Sequence, residues 1–272
     1  MNRTPTPIAL TIAGSDPSGG AGLQADLKTF HQHGVYGTAV VSLITVQSTR
    51  SVARVEVLEA ELVAQQLDHL LADVRPQAAK TGALGSAAVI EVVAARARHF
   101  GFPLVVDPVM VSKHGQALLA PEAVEVLVSA LLPQCFLLTP NGPEAEALLG
   151  TPVRTVAQAR EAAQRLADLG PKHVLVKGGH LEGDEVVDVL YANGTVHELR
   201  GPRVDSPHTH GTGCTSSAAI TARLARGASV EDAVAGAWEW LKAALQSPPD
   251  VGGGIGPVNH FTPVEWRPPS SR

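Results

Sequence analysis

Two glycine-bearing stretches stand where a chain could hold phosphate. Gly14-Ser-Asp-Pro-Ser-Gly-Gly-Ala-Gly22 follows the apolar run from Ile8 to Ile12 and leads into an amphipathic segment. Its glycines let backbone approach a ligand closely, and a helix start leaves N–H groups free. It lacks the Gly-Lys-Ser/Thr of a Walker A loop and does not fit Gly-x-Gly-x-x-Gly, so it reads equally as an anion-binding turn or as a plain tight turn. His210-Gly-Thr-Gly-Cys-Thr215 opens a second helix. Gly211, Thr212 and Gly213 there offer N–H donors at the positive end of a macrodipole, which suits a phosphoryl group in transfer. Thiol pKa values fall at such a position, so Cys214 reads as a thiolate or a strong hydrogen-bond partner. A lone cysteine is otherwise a small buried residue at a cap.

A third set follows other apolar runs: Asp107 after Val106, Asn141 and Glu144 after Leu138, and Lys177-Gly-Gly-His180 after Val176. Carboxylates at strand ends suit Mg²⁺, and a nearby lysine neutralises phosphate charge. Each residue alone also fits a cap, a turn or a solvated charge, so the reading rests on their convergence. His31 with His33 and His208 with His210 form His-x-His pairs, but no further Cys/His spacing completes a zinc site. Trp238 and Trp240 read as packing residues of the last helix.

These groups need a scaffold that brings strand ends together. Short apolar runs alternate with helix-length segments throughout, the signature of a parallel sheet with helices on both faces. Strands are expected at Ile8 to Ile12, Ala39 to Ile44, Ala78 to Thr81, Leu104 to Val106, Phe136 to Leu138, Val174 to Val176 and Val186 to Leu190. Asn193-Gly194 predicts a hairpin from Val186–Tyr191 to Val196–Leu199, which turns the later sheet antiparallel. Helices are expected from Leu23 to about Gly34, Ala60 to Val74, Ser86 to Phe100, Glu122 to Leu132, from a Thr155/Gln158 capping box to Gly170, Cys214 to Ala225 and Val230 to Leu245. In such sheets ligands bind beyond the carboxyl ends of the strands. No stretch reads as an interdomain linker, so one α/β/α domain over residues 1–272 is expected, frayed after Phe261.

Composition narrows the function classes. The chain has 272 residues, 44% hydrophobic and 17% charged, enough to build a core. A net charge of −5 without a basic block argues against nucleic acid. Met1 to Ile8 carries one Arg and two Pro before a short apolar run, which predicts no membrane span and a cytoplasmic protein. Two cysteines, Cys135 and Cys214, exclude a disulfide framework.

Together, the Gly14–Gly22 turn with the helix after it, Lys80-Thr-Gly82, Asp107-Pro-Val-Met-Val111, Thr139-Pro-Asn-Gly-Pro-Glu144, Lys177-Gly-Gly-His180, His210 to Thr215 and Gly256-Pro-Val-Asn-His260 resemble the hydroxymethylpyrimidine/phosphomethylpyrimidine kinases of thiamine biosynthesis. The match runs in order from about residue 8 to Phe261. The resemblance implies a ribokinase-like fold and ATP with Mg²⁺. It also implies two successive phosphorylations, of 4-amino-5-hydroxymethyl-2-methylpyrimidine and then of its monophosphate. By the same resemblance Gln47, Gly14, Asp26 and Val109 are substrate-side residues, and Gly211, Gly213 and Cys214 form the anion hole, with Cys214 in the place of a sugar-kinase Asp base. Lys177, Asn141 and Thr212 are nucleotide-side, and Glu144 and Asp107 metal-side. The partners implied are the pyrimidine and ATP, and a homo-oligomer is allowed.

Three positions depart from the family pattern: Ala83 where Met is common, Ser48 in place of Asn, and His208 in place of Asn. They bear on substrate fit and leave the phosphate-handling groups intact. A pyridoxal-type kinase is the nearest rival, disfavoured by Gln47. A non-catalytic pyrimidine sensor is disfavoured by Cys214, Lys177 and Glu144 standing together, and a dinucleotide dehydrogenase by the absence of its glycine motif.

Overall fold

The computed structural model describes residues 5–113 and 115–266. Its nine strands form one sheet in the order β3-β2-β1-β4-β5-β6-β7-β8-β9. They are β1 (Ile8–Ser15), β2 (Tyr36–Gln47), β3 (Val52–Val57), β4 (Ala78–Thr81), β5 (Leu104–Val106), β6 (Leu137–Leu138), β7 (His173–Val176), β8 (Glu185–Ala192) and β9 (Thr195–Pro202). The six strands from β2 through β1, β4, β5, β6 and β7 are parallel. Antiparallel pairs close both edges, β3 on β2 and the β8–β9 hairpin beside β7.

The helices are α1 (Gly22–Gln32), α2 (Ala60–Asp73), α3 (Ala87–Ala97), α4 (Pro121–Val126), α5 (Gly142–Leu149), α6 (Val156–Ala167), α7 (Thr212–Ala225) and α8 (Val230–Gln246). Alternation along the strands sorts the core onto two faces, because successive side chains point opposite ways. Leu104, Val106, Leu138, Val174 and Val176 pack with α2, α3, α5 and α6. Val105, Leu137 and Leu175 pack on the other face with Phe30 of α1 and with α7 and α8. No helix among the described residues is long and apolar enough to cross a membrane.

The expected hairpin is present, with Asn193 (φ 51°) and Gly194 (φ 79°) in the left-handed region that a two-residue turn of this type requires. Thr155 and Gln158 form the expected reciprocal cap of α6. Three elements differ from the sequence reading. β3 lies outside the expected strands, since Val-Ala-Arg-Val-Glu-Val is a largely exposed edge strand whose charges hide its alternation. The predicted helix from Glu122 to Leu132 is α4 followed by a wide π turn, Leu127–Leu131, and a 3₁₀ turn at Leu132–Gln134 carrying Pro133. α5 is also absent from the expected helices: Asn141 and Glu144, which read as chemistry, are also its capping box.

The first residues of the tail expected to fray make contacts with the body of the domain. Thr262 O accepts from both Trp240 Nε1 and Gln32 Nε2 at 2.9 Å. The Arg226 guanidinium lies 4.0 Å from the centre of the Trp266 ring, so the chain is docked as far as that residue. Residues 267–272, including Pro268 and Pro269, lie outside the described residues.

Candidate active site

The two glycine stretches touch. Gly211 caps α7 in the left-handed conformation (φ 73°), and a Cβ there would collide with Gly20 O. A Cβ on Gly20 would in turn strike the His210 ring. One edge of the sheet therefore carries both turns packed backbone to backbone. Sheet irregularities aim the neighbouring residues. β1 slips against β2 between Ala13 and Ser15, around Gly14, where a Cβ would overlap Leu43. β2 slips against β3 between Val46 and Gln47, and such bulges re-aim side chains at strand ends.

The start of α7 is a donor nest. Thr212 N–H is bonded to Thr209 O and Thr212 Oγ1 donates to the same carbonyl at 2.8 Å. Thr215 N–H closes the first helical bond, to Gly211 O. The N–H groups of Gly213 and Cys214 have no acceptor among the described residues, as the first turn of a helix dictates. A Cβ on Gly213 would lie 3.3 Å from Lys177 Nζ and 3.7 Å from Asp107 Oδ2, so the missing side chain leaves a cradle between helix start and charges.

Lys177 Nζ donates to Asp107 Oδ1 at 2.8 Å, with the lysine 15% and the aspartate 1% exposed. Burial opposes the ammonium charge, but Asp107 and Glu144 outweigh it and hold Lys177 protonated above its usual range. Ser217 Oγ reaches Asp107 Oδ2 at 3.3 Å from the next turn of α7. Glu144 is buried and its Oε2 accepts the Asn141 N–H at 2.8 Å, while Asn141 Oδ1 accepts the Glu144 N–H. Burial, reinforced by Asp107, pushes the Glu144 carboxyl up to about 7. Asn141 is thus occupied as a cap, and Glu144 both caps and faces the lysine.

Cys214 corrects the expectation of a lowered thiol pKa. Burial, with Asp26 and Asp107 adding to it, outweighs Lys80 and a bond from Gly22 N–H, and pushes the thiol up to about 11. The neutral thiol is the resting form. Asp26, expected on the substrate side, has no exposed surface. Lys80 Nζ bonds both its oxygens at 2.8 Å and Thr11 Oγ1 donates to it at 2.6 Å, so its carboxylate is fully engaged within the protein. Gln47, half-buried at the end of β2, has its amide nitrogen 3.0 Å from His210 Nε2. Val109 lines a small crevice with Thr81, Gly82 and Asp107.

Several groups of the site escape sequence reasoning. Lys80 sits inside a motif that the resemblance marks, but its partner is 54 residues away. Asp16, within the glycine turn, receives Ser18 N–H, Ala21 N–H and the His210 ring. Asp188 Oδ1 accepts the Gly178 N–H at 2.6 Å beside Lys177. His260 Nε2 meets Thr215 Oγ1 at 3.1 Å, which ties the Gly256–His260 segment to the start of α7 and gives that signature a structural role. Ser48 and His208 act locally: Ser48 N–H closes the β2–β3 turn onto Ser51 O, and His208 Nδ1 accepts from Gly256 N–H. The Ala83 carbonyl accepts from Ser42 Oγ at 2.6 Å.

The chain is similar to known proteins over nearly its whole length. Residues 16–259 match the family described as phosphomethylpyrimidine kinase. The hydroxymethylpyrimidine/phosphomethylpyrimidine kinase of Bacillus subtilis (strain 168) is 42% identical over 255 residues, 93% of this chain and 94% of that protein. Among solved structures, the ADP complex of Bacillus subtilis pyridoxal kinase superposes with a TM-score of 0.88 at 38% identity, covering 95% of this chain and 98% of the other. Phosphomethylpyrimidine kinase from Clostridium difficile 630 superposes with a TM-score of 0.78 at 40% identity, covering 88% and 99%. With its match extending from the first glycine turn to the C-terminal signature, the chain belongs to the phosphomethylpyrimidine kinase family.

Proposed function

We propose that this single ribokinase-like domain transfers a phosphoryl group from ATP to 4-amino-5-hydroxymethyl-2-methylpyrimidine and then to its monophosphate, giving the diphosphate used in thiamine biosynthesis. The observation that supports the site assignment is the start of α7, where two N–H groups have no acceptor among the described residues and the Gly213 Cβ position lies 3.3 Å from Lys177 Nζ of the Lys177–Asp107 pair. Oriented donors beside a lysine stabilise charge spread over phosphoryl oxygens, which is the main task in phosphoryl transfer.

The donor set suits Mg²⁺. Asp107 and Glu144 supply hard oxygen ligands, and Glu144 at about 7 has a carboxyl that a cation would readily draw into its ionised form. No group of three His, Cys, Asp or Glu among the described residues could hold a metal alone, so the ion would keep waters and nucleotide oxygens in its shell. When bound, Mg²⁺ with ATP supplies the phosphoryl donor and neutralises its charge. Lys177 holds nucleotide phosphate, with Thr212 beside it once its hydroxyl turns away from Thr209 O, and the N–H groups of Gly213 and Cys214 meet the oxygens in transfer. Gln47, Gly14 and Val109 frame the pyrimidine. Cys214 presents a neutral thiol to the hydroxymethyl oxygen, so it orients that hydroxyl rather than stripping its proton in the resting enzyme.

ADP release measured with the pyrimidine, its monophosphate and pyridoxal tests the reading. The expected result is efficient turnover of both pyrimidines and a lower kcat/KM for pyridoxal. Equal or greater efficiency on pyridoxal would overturn it.

A further inference from the structure

Three side chains from distant segments meet at the edge of the first glycine turn. Asp16 Oδ2 and Gln47 Nε2 lie 2.7 Å and 3.0 Å from the same ring nitrogen, His210 Nε2. Burial would raise the Asp16 carboxyl, but the hydrogen bonds from His210 and Ser18 outweigh it and hold Asp16 below the usual range. An ionised carboxylate only accepts, so His210 Nε2 carries a proton and donates it to Asp16. A carboxamide nitrogen has no lone pair with which to meet that N–H. A half-turn of the Gln47 amide exchanges its nitrogen and oxygen, and only the exchanged state sets an acceptor, Oε1, against the ring.

We propose that Asp16 and His210 are positioning residues that hold the Gln47 carboxamide with Oε1 toward His210 and NH₂ away from it, and so set the donor and acceptor order with which Gln47 meets the pyrimidine edge. The holder is rigid. Asp16 is fixed by Ser18 and Ala21 N–H at 2.8 and 2.9 Å, and the His210 ring is only 3% exposed and packed on Gly20, where even a Cβ does not fit. The inference rests on the reading of Gln47 as the residue that recognises the ring.

Recognition then has a polarity. A 4-amino pyrimidine offers a donor beside an acceptor nitrogen, whereas its 4-oxo counterpart offers an acceptor beside an N–H. A freely turning amide serves both rings, and a held amide serves one. Selectivity between the two should therefore come from His210 as much as from Gln47.

The test measures kcat/KM, and calorimetric binding without nucleotide, for the 4-amino substrate and its 4-oxo analogue in four proteins. Wild type is expected to prefer the 4-amino ring by at least tenfold. His210→Leu should reduce that preference to within about threefold while still binding the 4-amino ring. His210→Gln, whose NH₂ can donate to both Asp16 and Gln47, should keep most of it. Gln47→Met should weaken 4-amino binding and abolish the preference. If His210→Leu does not yield folded protein, His210→Ala carries the same test, because it too removes the N–H that holds Oε1 and leaves the Gln47 amide free to turn over. A preference unchanged in Gln47→Met removes Gln47 from ring recognition and the inference with it. A preference abolished in Gln47→Met but unchanged in His210→Leu or His210→Ala keeps that recognition and overturns the positioning.

Discussion

Two Lys–Asp pairs close at the same 2.8 Å near the carboxyl edge of the sheet, and their surroundings give them different tasks. Lys80 and Asp26 have no exposed side-chain surface, and the lysine satisfies both carboxylate oxygens. One cation meets one anion, and nothing remains to address a ligand. Lys177 reaches the surface, bonds one Asp107 oxygen and faces a second acid, Glu144. The rim cluster thus holds two carboxyl groups for one ammonium, an imbalance that suits a site receiving both phosphate and a divalent cation. Pair geometry alone therefore does not identify function. Exposure and charge balance do.

The comparison predicts its largest effect at the buried pair. Removing one partner strands an uncompensated charge, so Lys80→Met should lower unfolding stability by about 3–5 kcal/mol in urea titration. Replacing both partners, Lys80→Met with Asp26→Leu, should regain most of that loss. A single-variant loss below about 1 kcal/mol, the level of an exposed pair, would show that the pair contributes little to the fold.

Cys214 is near enough to feel Lys80, Asp26 and Asp107 at once. As a residue that acts on the hydroxyl in the transition state, it should matter to kcat more than to KM. Cys214→Ala should lower kcat by about 10²- to 10³-fold, in the range of removing one donor of an oxyanion site, with little change in melting temperature. An unchanged kcat would assign the thiol to packing. Lys177→Ala should show a different balance from Lys80→Met: a smaller loss of stability, because Lys177 is partly exposed and Ser217 Oγ still meets the buried Asp107, and kcat/KM for ATP reduced about 10- to 100-fold by the loss of a charge-assisted contact. Pyrimidine binding should survive. A variant that loses the pyrimidine and keeps normal ATP kinetics would contradict the nucleotide-side assignment.

What the sequence displays, and what it hides, follows the range of the interactions. Continuous apolar runs and turn pairs are local signals, so β1, β4, β5 and β7 are readable directly, as are the Asn193-Gly194 hairpin and the Thr155 cap. Gly20 and Gly211 are legible as turn residues, but their mutual contact spans most of the chain. The roles of Asp26 and Asp16 depend on partners 54 and 194 residues away, Lys80 and His210, and no spacing rule connects them. Cys214 shows the same limit in electrostatic form. A helix start lowers a thiol pKa, but the burial that reverses the shift comes from the packing of α7 against the sheet. β3 and α5 are hidden for a different reason: charged edge residues and a capping box each carry two meanings, and local pattern does not choose between them.

A third acid, Asp188, sharpens the contrast by offering a carboxylate that is neither paired like Asp26 nor set on the rim. Its Oδ1 accepts the Gly178 N–H, and burial pushes its carboxyl up to about 6 against the pull of that bond and of Lys177. The folded pKa thus exceeds the unfolded value of 3.8, and between the two the native state binds more protons than the unfolded chain. The favourable contribution is complete below about pH 3.8, and it is lost as pH rises through about 6. Asp188→Asn keeps an oxygen for Gly178 N–H and removes the titration. Relative to that variant, wild type should lose on the order of 1–2 kcal/mol of unfolding stability between about pH 4 and pH 7, read from urea midpoints at each pH. A difference that stays constant across the interval would mean that Asp188 ionises at the same pH folded as unfolded, with Lys177 and Gly178 compensating its burial in full.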